Sequence, residues 1–379
     1  DKLTLDGVVS GAGASLDARR DLGRIFVVAM PYYDVNQRTY ETNKVTAQIV
    51  FKEIEKLENG EIDEWLFNSV KEAYFQSADL MYESSQSITQ NLMQAFIYNL
   101  PLERVFTLKE QVAALTLEDI QNVAKKYFKQ DYITIEFEEG DPKKHKLEKP
   151  DIKPLDPPQG KQTEYSQHFK QIPQGEVKEV YNDFADVTQI ELDPQIKLFY
   201  TKNDQNNIFS IVLNYGIGTE KMPMLDYAVS LMNTAGIMPS TDAQQFRRQL
   251  SELGGACNYS VNGSYFNVSI SGKEENLAQI CQLVQKQMLM PKLDKQQLDN
   301  VKGQALVSRI VMPRQESAQT SALINYAVYG KKSPYIDVVP FMDIYNLTIP
   351  QLHAEFQKAT EYSLKIHYVP SPAPPPGRG

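Results

Sequence analysis

The chain has 379 residues, of which 42% are hydrophobic and 23% charged, with a formal net charge of −9. That length and balance fit two or three domains with real cores. The acidic charge, with no dense basic stripe, argues against nucleic acid as a partner. Two cysteines, Cys257 and Cys281, are too few for a disulfide framework or a cysteine zinc site. They read as buried free thiols, with a bridge left open for an oxidising compartment. No apolar run reaches the roughly 18 residues that a membrane-spanning helix needs. The opening "DKLTLDGVVSG" carries neither an initiator Met nor a signal-peptide pattern. The chain therefore reads as a fragment or a processed piece. The sequons at Asn258, Asn262, Asn267 and Asn346 carry no weight as glycosylation sites.

In chain order, "GAGASL" reads as tight backbone or a strand start, and Ile25–Ala29 as a strand. "TNKVTAQIVFKEIEKLENG" sets Val45, Ile49, Ile54 and Leu57 on one helical stripe that ends at Gly60. "EIDEWLFNSVKEAYFQSADLMYES" and "SITQNLMQAFIYNL" continue the helical pattern, the latter stopping at Pro101. In "LTLEDIQNVAKKYF", Thr116 is the N-cap and Asp119 stands three positions on, close to a capping box. "DYITIEFEEG" alternates Ile133, Ile135 and Phe137, the pattern of a half-buried strand. Residues 139–180 then turn rich in Lys and Pro, which reads as a solvated, partly extended connector.

The second block opens with three strands, "VTQIEL", "IKLFYT" and "IFSIVLNYG". A helix over 224–234 follows, then "DAQQFRRQLSELGG", capped by Asp242 or Thr241 and ended by Gly254–Gly255. "ACNYSVNGSYFNVSISG" reads as two strands around an Asn-Gly turn. Two helices follow, "EENLAQICQLVQKQMLM" and "DKQQLDNVKGQALVSRI", separated by Pro291. The block closes on "LTIPQLHAEFQKAT" and the strand "YSLKIHYV". Residues 115–137 resemble 347–368, each a capped helix running into an alternating strand, which points to α+β modules in series. The tail "PSPAPPPGRG" at 370–379 reads as an extended, solvated end or an artefact.

Chemistry-bearing motifs are scarce. The four histidines are His145, His168, His353 and His367, and none has another His at three or four positions. No H-E-x-x-H or H-x-x-E-H pair is formed, and no G-x-S-x-G elbow occurs. Each histidine reads as a surface or edge residue. The carboxylates of "ENGEIDE" at 58–64 read as a solvated helix start. No catalytic, cofactor-binding or metal-binding residue is assigned.

The order of elements carries a resemblance. "GAGASLDARRDLGRIFVVAM", "IEKLENGEIDEWLFNSVKEAY" and "LTLEDIQNVAKKYFKQDYITIEF" resemble the later part of one half of the pitrilysin-type zinc peptidases. These are inverted zincins related to mitochondrial processing peptidase. "IFSIVLNYGIGTE…LDYAVSLMNTAG", "AQQFRRQLSELGGACNYSVNGSYFNVSISG" and "LTIPQLHAEFQKATEYSLKIHYV" resemble the start of the next half. The resemblance implies two halves enclosing a peptide chamber, with zinc held by H-x-x-E-H and a downstream Glu. Placing that motif here puts its five positions on Asp226, Tyr227, Ala228, Val229 and Ser230. A one-residue slide gives Leu225, Ala228 and Val229, again without a ligand. Leu225, Ala228, Val229, Leu231 and Met232 instead form the apolar face of a plain core helix.

The expectations are therefore these. The fold is α+β, two related modules, each a mostly antiparallel sheet with helices on one face. Residues 1–140 are the partial C-terminal domain of an active-type half, 141–185 a Lys/Pro-rich linker, and 186–369 the first domain of an inactive half. The metal-binding domain lies upstream of Asp1, and the last domain of the inactive half lies beyond the chain. No cofactor is expected in this chain, with zinc only in the upstream domain. Expected partners are a peptide or unfolded polypeptide and the catalytic domain or subunit, with no nucleic acid and no membrane span. The resemblance implies a periplasmic or cell-envelope location and no peptidase activity for this chain alone. An inactive peptidase-like scaffold and a peptide-binding module using a sheet edge are the alternatives.

Overall fold

The computed structural model describes residues 2–5, 8–19, 21–34, 37, 39–128, 132–135, 150, 151, 153, 160–173, 175 and 184–370. The chain forms two compact units. One is Asp1–Tyr132 together with Asp186–Gly379, and the other is Ile133–Ala185. All but Pro370 of the expected tail at 370–379, most of the linker, His145 and Phe137 lie outside the described residues.

In the larger unit, α1 (Lys2–Leu5) leads into a hairpin of β1 (Gly11–Asp17) and β2 (Arg24–Met30). The two strands pair antiparallel from Gly11 opposite Met30 to Asp17 opposite Arg24. The Arg19 and Arg24 guanidiniums bond the Asp17 carboxylate and hold it below the usual carboxylate range. A short pair, β3 (Tyr33–Asp34) and β4 (Thr39–Tyr40), comes next. Six helices follow: α2 (Asn43–Asn59), α3 (Glu64–Met81), α4 (Ser85–Ile97), α5 (Glu103–Phe106), α6 (Leu108–Ala114) and α7 (Leu117–Tyr127). Thr42 Oγ1 caps α2, and Gly60 ends it in the left-handed region at φ 77°. On its expected stripe, Ile49, Ile54 and Leu57 are half-buried while Val45 is exposed. The Thr116–Asp119 pair closes a complete capping box on α7, each side chain accepting the other's backbone N–H.

Three sequence expectations need correction. Residues 132–135 form no strand, and Ile133 and Ile135 are 90% and 70% exposed. Alternation alone does not make a strand when no neighbour among the described residues completes its ladder. The connector holds a helix, α8 (Glu164–Gln171) in the smaller unit, started by Thr163 accepting from the Ser166 N–H. The first block holds only two two-stranded pieces among its described residues, not a sheet of module size.

The second block carries the main sheet. Its strands are β5 (Thr188–Asp193), β6 (Ile196–Tyr200) and β7 (Ile208–Tyr215). Then come α9 (Leu225–Met232), β8 (Gly236–Ile237) and α10 (Ala243–Glu252), the last capped by Asp242 in a full box with Gln245. β9 (Gly255–Val261) and β10 (Phe266–Lys273) form the expected hairpin. α11 (Leu277–Leu289), β11 (Pro291–Lys292), α12 (Lys295–Val311), α13 (Glu316–Tyr329), α14 (Phe341–Tyr345), α15 (Ile349–Ala359) and β12 (Leu364–Val369) complete the block. The helices α13 and α14 fall in a stretch that periodicity left unassigned. The six-stranded sheet runs β5-β6-β12-β7-β10-β9, antiparallel throughout except where β12 meets β6. The architecture is α+β, with a mostly antiparallel sheet and helices packed on it.

One face of that sheet is core. On β10, Phe266, Val268 and Ile270 are buried and alternate with half-buried polar residues, the period-two pattern of a strand with one face covered. Phe209, Phe266, Ile280, Leu352 and Phe356 are all at most 1% exposed and form the centre of the cluster. Phe356 meets both Tyr259 and Phe266 edge-on at 5.6 and 5.4 Å. The first block leans on this body through α3. Glu72 pairs with Lys273 at 2.8 Å, and Gln76 Nε2 donates to the Gly254 carbonyl at 2.8 Å. Arg248 lies over the Trp65 ring at 5.0 Å.

Candidate functional site

The helix α9 and its approach make up the position on which the resemblance places the peptidase metal motif. After β7, the chain is pinned to the tip of the β9–β10 hairpin: Thr219 N–H donates to the Asn262 carbonyl at 2.9 Å, and Glu220 N–H to that of Gly263 at 3.0 Å. This fixes where α9 starts. Leu225, Ala228, Val229, Leu231 and Met232 are each at most 4% exposed, as their spacing predicts. The helix packs against α12, α15 and β9.

The far end of α9 is tied down by side-chain amides. Asn233 clamps β9, its Nδ2 donating to the Tyr259 carbonyl at 2.8 Å and its Oδ1 accepting the Tyr259 N–H at 3.0 Å. Gln297 Nε2 donates to the Thr234 carbonyl and Gln287 Nε2 to that of Ala235. The Tyr259 hydroxyl donates to Gln287 Oε1 at 2.8 Å. The bonds from Gln297 and Gln287 give partners to the Thr234 and Ala235 carbonyls just beyond α9, and the Asn233 pair satisfies both backbone groups of Tyr259. Sequence reading missed this network, because its amides come from α11 and α12, some 50 residues or more downstream. Burial pushes the Tyr259 phenol up, and it pushes the neighbouring Cys257 thiol up to about 12.

The residues at the motif positions diverge. Asp226 and Ser230, one helical turn apart, are exposed on one side of α9, while Val229 faces the core. Asp226 is exposed in outline, yet desolvation around its carboxyl pushes its pKa up from the ordinary value. The shifted placement, Leu225 with Ala228 and Val229, is wholly buried hydrocarbon. A carboxylate, an alkyl group and a hydroxyl do not make the imidazole-rich donor set that zinc takes in the related motif. The residues present do not fit the metal. Among the described residues, no group of three or more His, Cys, Asp or Glu side chains is placed to hold an ion.

The histidines do not come together either. His168 is exposed on α8, and His367 is exposed on β12 with its ring stacked on Phe199 at 5.1 Å. His353 departs from the expectation of a surface residue, since its Nε2 is buried with no hydrogen-bond partner among the described residues. The cysteines are free and half-buried. A cleft of about 380 Å³ opens beside α3, lined by Glu72, Gln76, Asp79, Lys109 and Lys273 among others. Its lysines are already engaged, Lys109 by Asp79 and Lys273 by Glu72. Among the described residues no helix is long and apolar enough to cross a membrane.

No protein-family profile matches the sequence, and no curated protein matches it. Among solved structures, a mutant of the ferredoxin protease FusC in complex with Arabidopsis ferredoxin is 12% identical with a TM-score of 0.45, covering 97% of this chain and 43% of that one. The periplasmic protease PqqL from Escherichia coli is 11% identical with a TM-score of 0.44, covering 98% and 44%. A peptidase M16 inactive domain from Pseudomonas fluorescens is 15% identical with a TM-score of 0.43, covering 50% and 47%. The chain spans less than half the length of each of these three. The likenesses are weak.

Proposed function

We propose that this chain is a non-catalytic portion of a pitrilysin-type zinc metallopeptidase, forming part of the wall of a chamber that takes in peptide or unfolded polypeptide. The observation that carries the reading is α9. It stands in the order of elements where that family's metal helix stands, and it is built as a core helix, with Val229 at 4% exposure in place of the water-activating Glu. In this reading, 1–140 belongs to the half that bears the metal elsewhere, 141–185 joins the halves, and 186–369 opens the inactive half. The catalytic domain, upstream or on a separate subunit, is the partner. Hydrolysis belongs to the assembled parent.

Titrating the purified chain with zinc and assaying an unstructured fluorogenic peptide tests this. The expected result is neither stoichiometric tight zinc nor chelator-sensitive cleavage, and finding both would sink the proposal. Reading the upstream gene separates the parent peptidase from a scaffold with no active half. An H-x-x-E-H about one domain before Asp1 is the expected finding.

A further inference from the structure

The sheet face opposite the core carries a basic patch that only the strand order assembles. Leu364 and Tyr368 of β12 pack on the core, so Lys365 and His367 point the other way. β12 lies between β6 and β7, which sets Lys365 directly opposite Lys197 on one side and Asn214 on the other. His367 is opposite Phe199 and stacks on its ring, with 12° between the planes. Lys365 and His367 are exposed and Lys197 half-buried.

Like charges directly across a strand pair repel. Neither lysine has an ion-pair partner among the described residues, although Glu191 sits opposite Lys197 on β5. One row further, Asn214 Nδ2 donates to Asn267 Oδ1 at 2.6 Å, so the surface beside the lysines is lined with amides. Neighbouring strands are about 4.8 Å apart, a spacing that one carboxylate can bridge. An anion placed there relieves the lysine–lysine repulsion, and the amides bond peptide groups whatever their side chains. Screening over about 8 Å at physiological salt lets this patch act locally despite the acidic whole.

We infer that this face binds extended polypeptide bearing acidic side chains, with Lys197 and Lys365 taking an Asp or Glu carboxylate. The inference rests on the chamber-wall proposal only in naming the ligand a polypeptide. It adds which face meets that ligand and which charge is selected.

Fluorescence anisotropy with labelled, unstructured peptides of equal length tests it, one Glu-rich, one Lys-rich and one Ser/Gly-rich. The Glu-rich peptide should bind about tenfold or more tightly than the other two at near-physiological salt. The double reversal Lys197→Glu with Lys365→Glu should abolish that preference, with circular dichroism unchanged. Lys286→Glu, on the helical layer, should leave it intact. Equal binding of all three peptides, or a preference that survives the double reversal, overturns this inference alone. Failure of every peptide to bind overturns the chamber-wall proposal as well. A single-stranded oligonucleotide that binds as tightly as the Glu-rich peptide also overturns it, because the patch would then select bare anionic charge.

Discussion

In the proposed reading Val229 stands where the peptidase motif carries its catalytic carboxylate, and its side chain is 4% exposed among apolar neighbours. A charge there has no partner and no water. Val229→Glu should therefore cost about 3–5 kcal/mol, the range for an uncompensated buried charge. Asp226→His and Ser230→His, on the exposed side, should each stay within about 0.5 kcal/mol. Urea unfolding of the three variants measures the contrast, and similar losses for all three would contradict the assigned orientation of α9. The half-buried Cys257 and the buried Tyr259 on β9, with the buried Tyr215 on β7, set a pH dependence. Cys257 is raised by burial from an ordinary 9.0 to about 12, and Tyr259 and Tyr215 are raised as well. Above pH 9 the unfolded chain loses protons that the folded chain keeps. Stability is then full below about pH 9 and falls as pH rises towards 12. Denaturation midpoints taken at pH 8, 9 and 10 should decline in that order.

At the scale of elements, α3 holds the first block against the second. Its grip on α10 depends on Gly254, which follows that helix at φ 62° and offers its carbonyl to Gln76. A Cβ at Gly254 would come within 2.8 Å of the Gln76 side-chain nitrogen. Gly254→Ala should cost about 1–2 kcal/mol through the left-handed backbone alone. Gln76→Ala, by contrast, loses one hydrogen bond to a neutral carbonyl, about 1 kcal/mol. Thermal melts of the two variants should rank them in that order. A result with Gly254→Ala neutral would mean the turn relaxes, and α3 would lose its assigned role in fixing it.

At the largest scale, the larger unit is held by contacts that skip the connector. Glu72 with Lys273, Gln76 with Gly254, Trp65 with Arg248 and Gln304 with the Ser10 carbonyl all join the first block to the second. Fragments 1–135 and 184–370, produced as separate chains, should therefore reassociate and co-elute on size exclusion. Trp65 is the only tryptophan, so its emission should shift when the second fragment brings Arg248 over its ring. Independent elution with unchanged emission would show that the covalent connection is needed for the blocks to dock.

What the sequence by itself determined is local. The caps at Thr116, Asp242 and Thr348 and the apolar stripe of α9 depend on groups within four positions of one another. Their energetics are therefore set by chain order. The paired turn at Asn262–Gly263 belongs to the same class. Only the tertiary structure decided the rest. Ile133 and Ile135 alternate as well as Leu364 and Ile366 do, yet only the latter gained strands on both sides. A strand exists once its hydrogen-bonding partners do, and those partners lie far along the chain. The same long-range pairing inserted the last strand between β6 and β7 and set Lys365 beside Lys197, 168 positions apart by their numbers. Val229 faces inward and Asp226 and Ser230 outward, as the local apolar stripe of α9 already required. Residue types and spacing alone read α9 as a core helix without an H-x-x-E-H set, while packing decided which elements, α12, α15 and β9, cover it.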